Sequence, residues 1–198
     1  MKILTLPLGV LEANCYLVWD ERTKRCAILD PGGEAQKIAD ALAKNDLTPA
    51  AVLLTHGHFD HVGATRALSE MYALPIYIAE ADTHSSMSHG RLVYTDLYGE
   101  GDEITVGGLA FRVLSTPGHS AGSVCLLCED ALFSGDTLFR GSMGRTDFKD
   151  GSLTDMIRSL KRLGSLPGNL RVFPGHGEAS TLDEERASNY CLTQAMRL

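Results

Sequence analysis

The stretch Thr55-His56-Gly57-His58-Phe59-Asp60-His61 places three imidazoles and one carboxylate within six residues. It directly follows Ala51 to Leu54, an apolar run that we interpret as a buried strand. Neutral imidazole and carboxylate are the usual nitrogen and oxygen ligands of zinc. An extended chain sends alternate side chains to opposite sides, so the block can serve more than one ligand position. The stretch therefore predicts a metal centre at the end of a strand.

Further metal-ligand side chains follow other apolar runs, each beside a glycine. They are Gly118-His119, Gly135-Asp136 and Gly175-His176-Gly177. Glycine allows the tight turns that direct several ligands to one point. One tetrahedral metal cannot use so many ligands, and the set implies two metals that share a bridging group. The predicted ligands are His56, His58, Asp60, His61, His119, Asp136 and His176. We interpret His84 and His89, which lie in a polar segment, as surface histidines.

The remaining pattern predicts an α/β (α+β) protein. The predicted strands are Ile3 to Leu6, Cys15 to Trp19, Cys26 to Leu29, Ala51 to Leu54, Ile76 to Ile78, Leu109 to Leu114, Ser123 to Leu127, Ala131 to Ser134 and Leu170 to Phe173. The predicted helices are Glu34 to Lys44, Val62 to Tyr72 and Leu153 to Leu163. The segment 81–101 is expected to be helix plus loop. Hairpins mixed with crossovers suggest two packed sheets with helices outside.

Composition and charge narrow the function. The chain has 198 residues without linkers or repeats, so we expect one domain over residues 1–198. A net charge of −7, from 18 Lys+Arg and 25 Asp+Glu, argues against nucleic acid as a partner. The apolar runs are shorter than a membrane span requires. Five scattered cysteines fit reduced thiols, and we expect a cytoplasmic protein that acts on a small molecule.

Cys125 and Cys128 form a C-x-x-C pair, for which a redox or zinc role is one interpretation. The alternative, which the apolar surroundings favour, is a buried strand. The sequence has no second such pair to complete a four-sulfur site.

Taken together, these motifs resemble the metallo-β-lactamase superfamily over nearly the whole chain. The residues that carry the resemblance are Asp30, Thr55 to His61, Thr116 to Ser123, Ser134 to Thr137 and Pro174 to Gly177. The resemblance implies a four-layer αββα sandwich. It also implies that His56, His58 and His119 form one metal site, that Asp60, His61 and His176 form a second, and that Asp136 bridges them. Asp30 would either hydrogen-bond to the ligands without binding metal itself or have a purely structural role in a turn.

Within that superfamily the chain is most similar to the short bacterial glyoxalase II-like thioester hydrolases. Gly135 to Phe139, followed by Arg140 to Phe148, carries this likeness. It implies hydrolysis of thioesters such as S-lactoylglutathione by a hydroxide that bridges two divalent metals, with Asp60 and Asp136 as the catalytic side chains. We expect zinc, although iron and manganese also suit these ligands. Only 22 residues (198 − 176) follow His176, so we expect no C-terminal helical domain that binds glutathione.

A thioester suits this site because a thiolate, with a pKa near ~8.5, leaves without a proton donor, whereas an amide needs one. Arg145 and Arg140 either meet a substrate carboxylate or are exposed arginines beside Asp147 and Asp150.

Two other functions remain open. One is a mononuclear iron persulfide dioxygenase, a branch that Gly144 to Phe148 also resembles. That resemblance implies that His56, His119 and Asp136 would hold the iron. The other is a nuclease, which the acidic balance disfavours. His176 distinguishes the dioxygenase from a two-metal enzyme, because it would be a ligand to the second metal.

Overall fold

The computed structural model describes the backbone of residues 1–198 and every side chain except that of Ser86. The strands form two six-stranded sheets and a small hairpin. In the first sheet the spatial order follows the chain: β1 Lys2–Leu8, β2 Ala13–Trp19, β3 Arg25–Leu29, β4 Thr48–Leu53, β5 Ile76–Ala79 and β6 Asp96–Tyr98. Its first three strands are antiparallel, and β3 to β6 are parallel.

The second sheet has the order β14-β13-β10-β9-β8-β7. Its strands are β7 Glu103–Val106, β8 Leu109–Ser115, β9 Val124–Cys128, β10 Ala131–Gly135, β13 Arg171–Pro174 and β14 Ser180–Thr181. All neighbours are antiparallel except β10 and β13, which are parallel. The hairpin pairs β11 Leu138–Phe139 with β12 Ser142–Met143.

Six helices accompany the sheets. They are α1 Ala35–Lys44, α2 Phe59–Val62, α3 Thr65–Tyr72, α4 Leu153–Gly164, α5 Leu182–Ser188 and α6 Tyr190–Arg197. Two 3₁₀ turns, Glu80–Asp82 and Ser86–Ser88, lie between β5 and β6.

Three apolar cores define four layers. One core packs Ile38 of α1 and Leu68 of α3 against the outer face of the first sheet. The second lies between the sheets, where Tyr16 and Phe133 are in ring contact. The third packs Leu160 of α4 and the C-terminal helices on the outer face of the second sheet. This helix–sheet–sheet–helix order confirms the predicted αββα fold.

The sheet topology brings the predicted ligands to one edge. Because β3 and β4 are parallel, their carboxyl ends lead together to Asp30 and to the histidine block. In the second sheet β8, β10 and β13 also end at this edge, since β9 is antiparallel to both of its neighbours. A backbone hydrogen bond from Val124 N to Thr55 O, 2.9 Å long, joins the two sheets there.

The predicted helix from Val62 to Tyr72 is wrong as one element. The structure has the short α2, then Gly63 and Ala64, and α3 begins only at Thr65. A Cβ on Gly63 would lie 2.2 Å from the carbonyl oxygen of Gly32, so the chains touch at this break. The apolar residues of this pattern, Leu68 and Met71 among them, predict an inward face, and the structure buries Leu68 but leaves Met71 exposed. Leu153, at the start of α4, is apolar and also exposed.

Other boundaries differ as well. The first helix begins at Ala35, because Glu34 has a left-handed backbone (φ 49°). The segment 81–101 contains two 3₁₀ turns and strand β6 rather than a helix. Strands β7, β11, β12 and β14 and helices α5 and α6 were not predicted.

All five cysteines are free. Cys125 and Cys128 both lie in β9 and pack into different cores on opposite faces of the sheet. Both cysteines therefore belong to a buried strand, which is the interpretation that the sequence favours. Among the described residues, no helix is long and apolar enough to cross a membrane.

Candidate metal centre

The first group of predicted ligands consists of His56, His58 and His119, all nearly fully buried. His56 and His58 follow β4 in extended chain, and His119 follows β8. Their ligand atoms lie within 4.8 Å of one another. His58 Nδ1 is 2.9 Å from His119 Nε2, although 61 residues separate them. Three nitrogen atoms thus converge at the sheet edge.

The second group consists of Asp60, His61 and His176, again with ligand atoms within 4.8 Å. Asp60 Oδ2 is 3.3 Å from His176 Nε2 and 3.7 Å from His61 Nε2. His176 comes from the loop after β13, on the opposite sheet. It points into the cluster, as the two-metal interpretation requires.

Asp136 lies between the two groups. Its Oδ2 is 3.4 Å from His119 Nε2 in the first group. Its Oδ1 is 3.5 Å from His61 Nε2, and its Oδ2 is 3.7 Å from His176 Nε2, both in the second. One carboxylate therefore faces both groups, which is the placement that a bridging ligand needs.

The distances from Asp60 and Asp136 to the histidine nitrogens fit bound metal, whereas the 2.9 Å contact between His58 Nδ1 and His119 Nε2 has the length of a hydrogen bond. Two ligands of a tetrahedral ion with bonds of about 2.0 to 2.1 Å are roughly 3.4 Å apart. The contacts of Asp60 and Asp136 with histidine nitrogens fall between 3.3 and 3.7 Å. A direct hydrogen bond would be shorter, near 2.9 Å.

Buried polar atoms point to the same conclusion. Among the residues that the structure describes, His56 Nε2, His58 Nε2, His61 Nε2 and Asp136 Oδ1 are buried with no hydrogen-bond partner. An unpaired buried polar atom costs about 1 to 3 kcal/mol. The unpaired atoms of His56, His61 and Asp136 are explained if metal ions occupy the cluster. His58 would instead offer Nδ1, the atom that faces His119 Nε2. The donor set fits zinc, iron or manganese.

Partners outside the cluster orient the ligands. Asp30 accepts hydrogen bonds from Thr55 N (2.7 Å) and Thr55 Oγ1 (2.6 Å), and its Oδ2 is 3.1 Å from His61 Nδ1. Asp30 also lies within 4.8 Å of potential ligand atoms of His56 and His61. Because its carboxylate oxygens already interact with Thr55 and His61, we interpret Asp30 as a residue that orients ligands and not as a ligand itself. His119 Nδ1 is 2.8 Å from the carbonyl oxygen of Arg145. Such contacts fix ring orientation and tautomer.

The two groups differ in protonation when no metal is bound. Burial, together with the nearby His119, lowers the pKa of His58 to about 4. Burial and neighbouring imidazoles also hold the pKa of His56 well below its usual value. In the second group, burial opposes but the carboxylates of Asp136 and Asp30 raise the pKa of His61 to about 9. The neighbouring carboxylate of Asp60 raises the pKa of His176.

This difference predicts a pH dependence of metal binding. Below pH 9 a metal entering the second group must displace the proton of His61, so its affinity should fall about tenfold per unit as pH falls. His56 and His58 are already neutral in this range, and the first group should change much less. The measurement is Zn²⁺ competition titration at pH 7.0 to 8.5. His119→Ala isolates the second group and His176→Ala the first. Equal slopes in the two variants would contradict the prediction.

A cleft of about 440 Å³ opens over the cluster. Its walls are mainly apolar, and they include Leu11, Phe59, Met87, Phe139, Met143 and Phe148. Arg145 also lines the cleft. Arg140 instead pairs with Glu178 and is not one of the described cleft-lining residues. Both His84 and His89 are exposed, and the His89 ring stacks on Phe59 with centroids 4.9 Å apart.

Sequence reasoning missed two buried polar side chains beside the site, Asn14 and Asp82. Asn14 interrupts the apolar strand β2, and a polar residue in a buried strand was a readable signal. Asp82 lies in a polar segment, where nothing in the sequence distinguishes it from a surface residue.

Comparison with known proteins agrees with this geometry. The family model of the metallo-beta-lactamase superfamily matches residues 8–176. One relative, the hydroxyacylglutathione hydrolase GloC of Haemophilus influenzae, is 33% identical over 207 residues, which cover 96% of this chain and 97% of the relative.

Two solved structures are also similar. ETHE1 from Myxococcus xanthus has a TM-score of 0.86 and 32% identity, with 96% of this chain and 84% of that one covered. TTHA1623, solved in a di-iron-bound form, has a TM-score of 0.83 and 37% identity, with coverages of 94% and 98%.

Proposed function

Because the chain belongs to the metallo-beta-lactamase superfamily, we propose that it hydrolyses small-molecule thioesters, such as S-lactoylglutathione, at a two-metal site. Its family and its buried histidine and aspartate clusters make it a metal-dependent hydrolase. Specificity for thioesters is the part that we propose. It is supported by similarity to a relative, 33% identical, that is named a hydroxyacylglutathione hydrolase.

One observation carries the two-metal proposal. His176 turns its Nε2 towards Asp60 and Asp136 and completes a second set of three ligands. Two divalent ions in such a site lower the pKa of water from 15.7 to about 7 and polarise a carbonyl group. The residues that would hold them are His56, His58 and His119 for one ion, and Asp60, His61 and His176 for the other, with Asp136 shared.

The protein's own contribution is a fixed ligand set below an apolar cleft. Phe148 packs edge-on against the rings of His58 and His119, at centroid distances of 5.1 and 5.4 Å. Phe139 packs similarly on His176. These rings limit how the ligands move and exclude water beside the reacting carbonyl. A low dielectric there strengthens every interaction with developing charge.

The side chains that line the cleft support a thiolate leaving group. Among the described residues that line it, the ionisable side chains are the predicted ligands and Arg145. A guanidinium does not give up its proton, so none of these is a ready acid for an amine leaving group. A thiolate requires no such donor, which favours a thioester over an amide.

In this proposal Arg145, which lines the cleft, would meet an anionic group of the substrate. Its Nε and its terminal NH₂ donate to the two carboxylate oxygens of Asp147, each 2.7 Å away, and it lies over Phe148. Both side chains are largely exposed. An exposed pair of this kind is screened by solvent and contributes little, so a substrate carboxylate can compete with Asp147.

The test uses zinc-loaded protein and three substrates with the same lactoyl group: S-lactoylglutathione, S-lactoyl-N-acetylcysteamine and the matching amide. We expect loss of thioester absorbance with both thioesters and no hydrolysis of the amide. A preference for the glutathione ester would indicate that the cleft itself recognises glutathione. Two bound metals with neither thioester hydrolysed would refute the thioester assignment.

The mononuclear iron alternative uses His56, His119 and Asp136, which the structure also brings together. It leaves Asp60, His61 and His176 without a metal, despite their convergence. Oxygen consumption with glutathione persulfide by the iron-loaded protein, without thioester loss, would favour this alternative.

A further inference from the structure

Asp82 is a fully buried carboxylate at the end of a 3₁₀ turn, outside the predicted ligand set. It accepts three hydrogen bonds. Gly57 N and Ser120 Oγ donate to Oδ2, each at 2.8 Å, and Gly122 N donates to Oδ1 at 2.6 Å. A Cβ on Gly57 would lie 2.7 Å from the Asp82 carbonyl oxygen. The carboxylate is therefore closely held between two loops.

Those two loops carry the first ligand group. Gly57 lies between His56 and His58, and Ser120 directly follows His119. Asp82 thus connects the histidine loop of the first sheet to the His119 loop of the second sheet. Each of the three histidines is a sequence neighbour of a residue that donates a hydrogen bond to Asp82. No oxygen of Asp82 is among the clustered ligand atoms of the described residues.

Asn14 has the corresponding place at the second group. Its Nδ2 donates to Pro174 O (3.0 Å) and Gly177 O (2.9 Å), the carbonyls on either side of the Gly175-His176 turn. Its backbone N donates to Gly175 O at 2.7 Å. Asn14 lies in β2 of the first sheet, whereas His176 follows β13 of the second. Asn14 therefore holds the His176 loop against the opposite sheet, together with Tyr16, whose hydroxyl donates to Pro174 O at 2.6 Å.

We propose that Asp82 and Asn14 are positioning residues, each for one metal site: Asp82 for the site of His56, His58 and His119, and Asn14 for the site that contains His176. This inference rests on the two-metal site of the proposed function. In this proposal neither side chain would itself bind the metal or the substrate. Their effect is to keep the ligand loops at the separation that a metal requires.

Removal of such an outer partner commonly lowers metal affinity by about 10 to 100-fold. Asp82→Asn keeps the size of the side chain but turns an NH₂ group towards one of the three donors. Asn14→Asp also keeps the size, but loses both donors and places a carboxylate against two carbonyl oxygens. We expect each change to weaken its own site by about tenfold or more and the other site by less than about threefold.

The experiment is Zn²⁺ competition titration in backgrounds that keep one site each. His176→Ala retains the first group, and His119→Ala retains the second. Asp82→Asn should weaken Zn²⁺ binding in the first background only, and Asn14→Asp in the second only. Thermal unfolding of the metal-free variants shows whether each is folded. Equal weakening in both backgrounds, or no weakening, would overturn the proposal.

Ser120→Ala gives an independent route if Asp82→Asn does not fold, because it deletes one side-chain donor and leaves the two backbone donors. It should weaken only the first site, by a smaller factor. Unmodified protein that binds fewer than two Zn²⁺ ions would instead contradict the proposed function.

Discussion

Replacement of Asp136 by alanine is expected to lower kcat/KM for thioester hydrolysis by about 10³-fold or more. The carboxylate lies 3.4 Å from His119 Nε2 and 3.5 Å from His61 Nε2, so its loss removes a ligand from both groups at once. Metal ions supply several kcal/mol of transition-state stabilisation, and each 1.36 kcal/mol is tenfold in rate. The measurement is kcat/KM with S-lactoylglutathione, together with zinc content per chain.

Asp130→Ala is the matched control. Asp130 pairs with Arg171 through two hydrogen bonds, in the turn between β9 and β10 at the far end of the sheet. Its removal should change kcat/KM by less than about twofold. If Asp136→Ala retained both activity and two zinc ions, the bridging role would be refuted.

Gly175→Ala is expected to lower activity by about 100-fold. A Cβ there would lie 2.1 Å from Asp136 Oδ1 and 2.8 Å from His61 Cε1, so one methyl group would displace two ligands. A displacement of about 1 Å at reacting groups can cost about 10²-fold in rate. Overpacking of this kind also destabilises by about 1 to 3 kcal/mol. The measurements are kcat/KM, zinc content and thermal unfolding.

Gly99→Ala is the control for this substitution, because nothing lies within 4 Å of the Cβ it would add. Neither glycine has a left-handed backbone, so strain does not confuse the comparison. Activity that stays within a few-fold of the unmodified protein in both variants would mean that the site tolerates movement of Asp136 and His61.

The ligand cluster was predictable because its signal is local. A metal site is indicated by three histidines and an aspartate that directly follow the apolar end of β4. This pattern can be recognised without knowledge of any tertiary contact. Glycines beside His119, Asp136 and His176 add the remaining ligands. The αββα order followed from the family resemblance.

What sequence reasoning missed depends mostly on distant contacts. Asn14 and Gly177 are 163 residues apart, and Asp82 and Gly122 are 40 apart, so no local pattern links them. The break between α2 and α3 arises where Gly63 meets the backbone of Gly32. Helix α5 is different, since its Thr181 and Glu184 form a capping box, and that spacing was readable in the sequence.

The central claim is that this chain holds two metals, the second of them through His176. The most direct measurement is zinc content per chain after saturation with Zn²⁺ and removal of the excess by gel filtration, for the unmodified protein and for His176→Ala. We predict two zinc ions per chain in the unmodified protein and one in the variant. One zinc ion per chain in both would contradict the account.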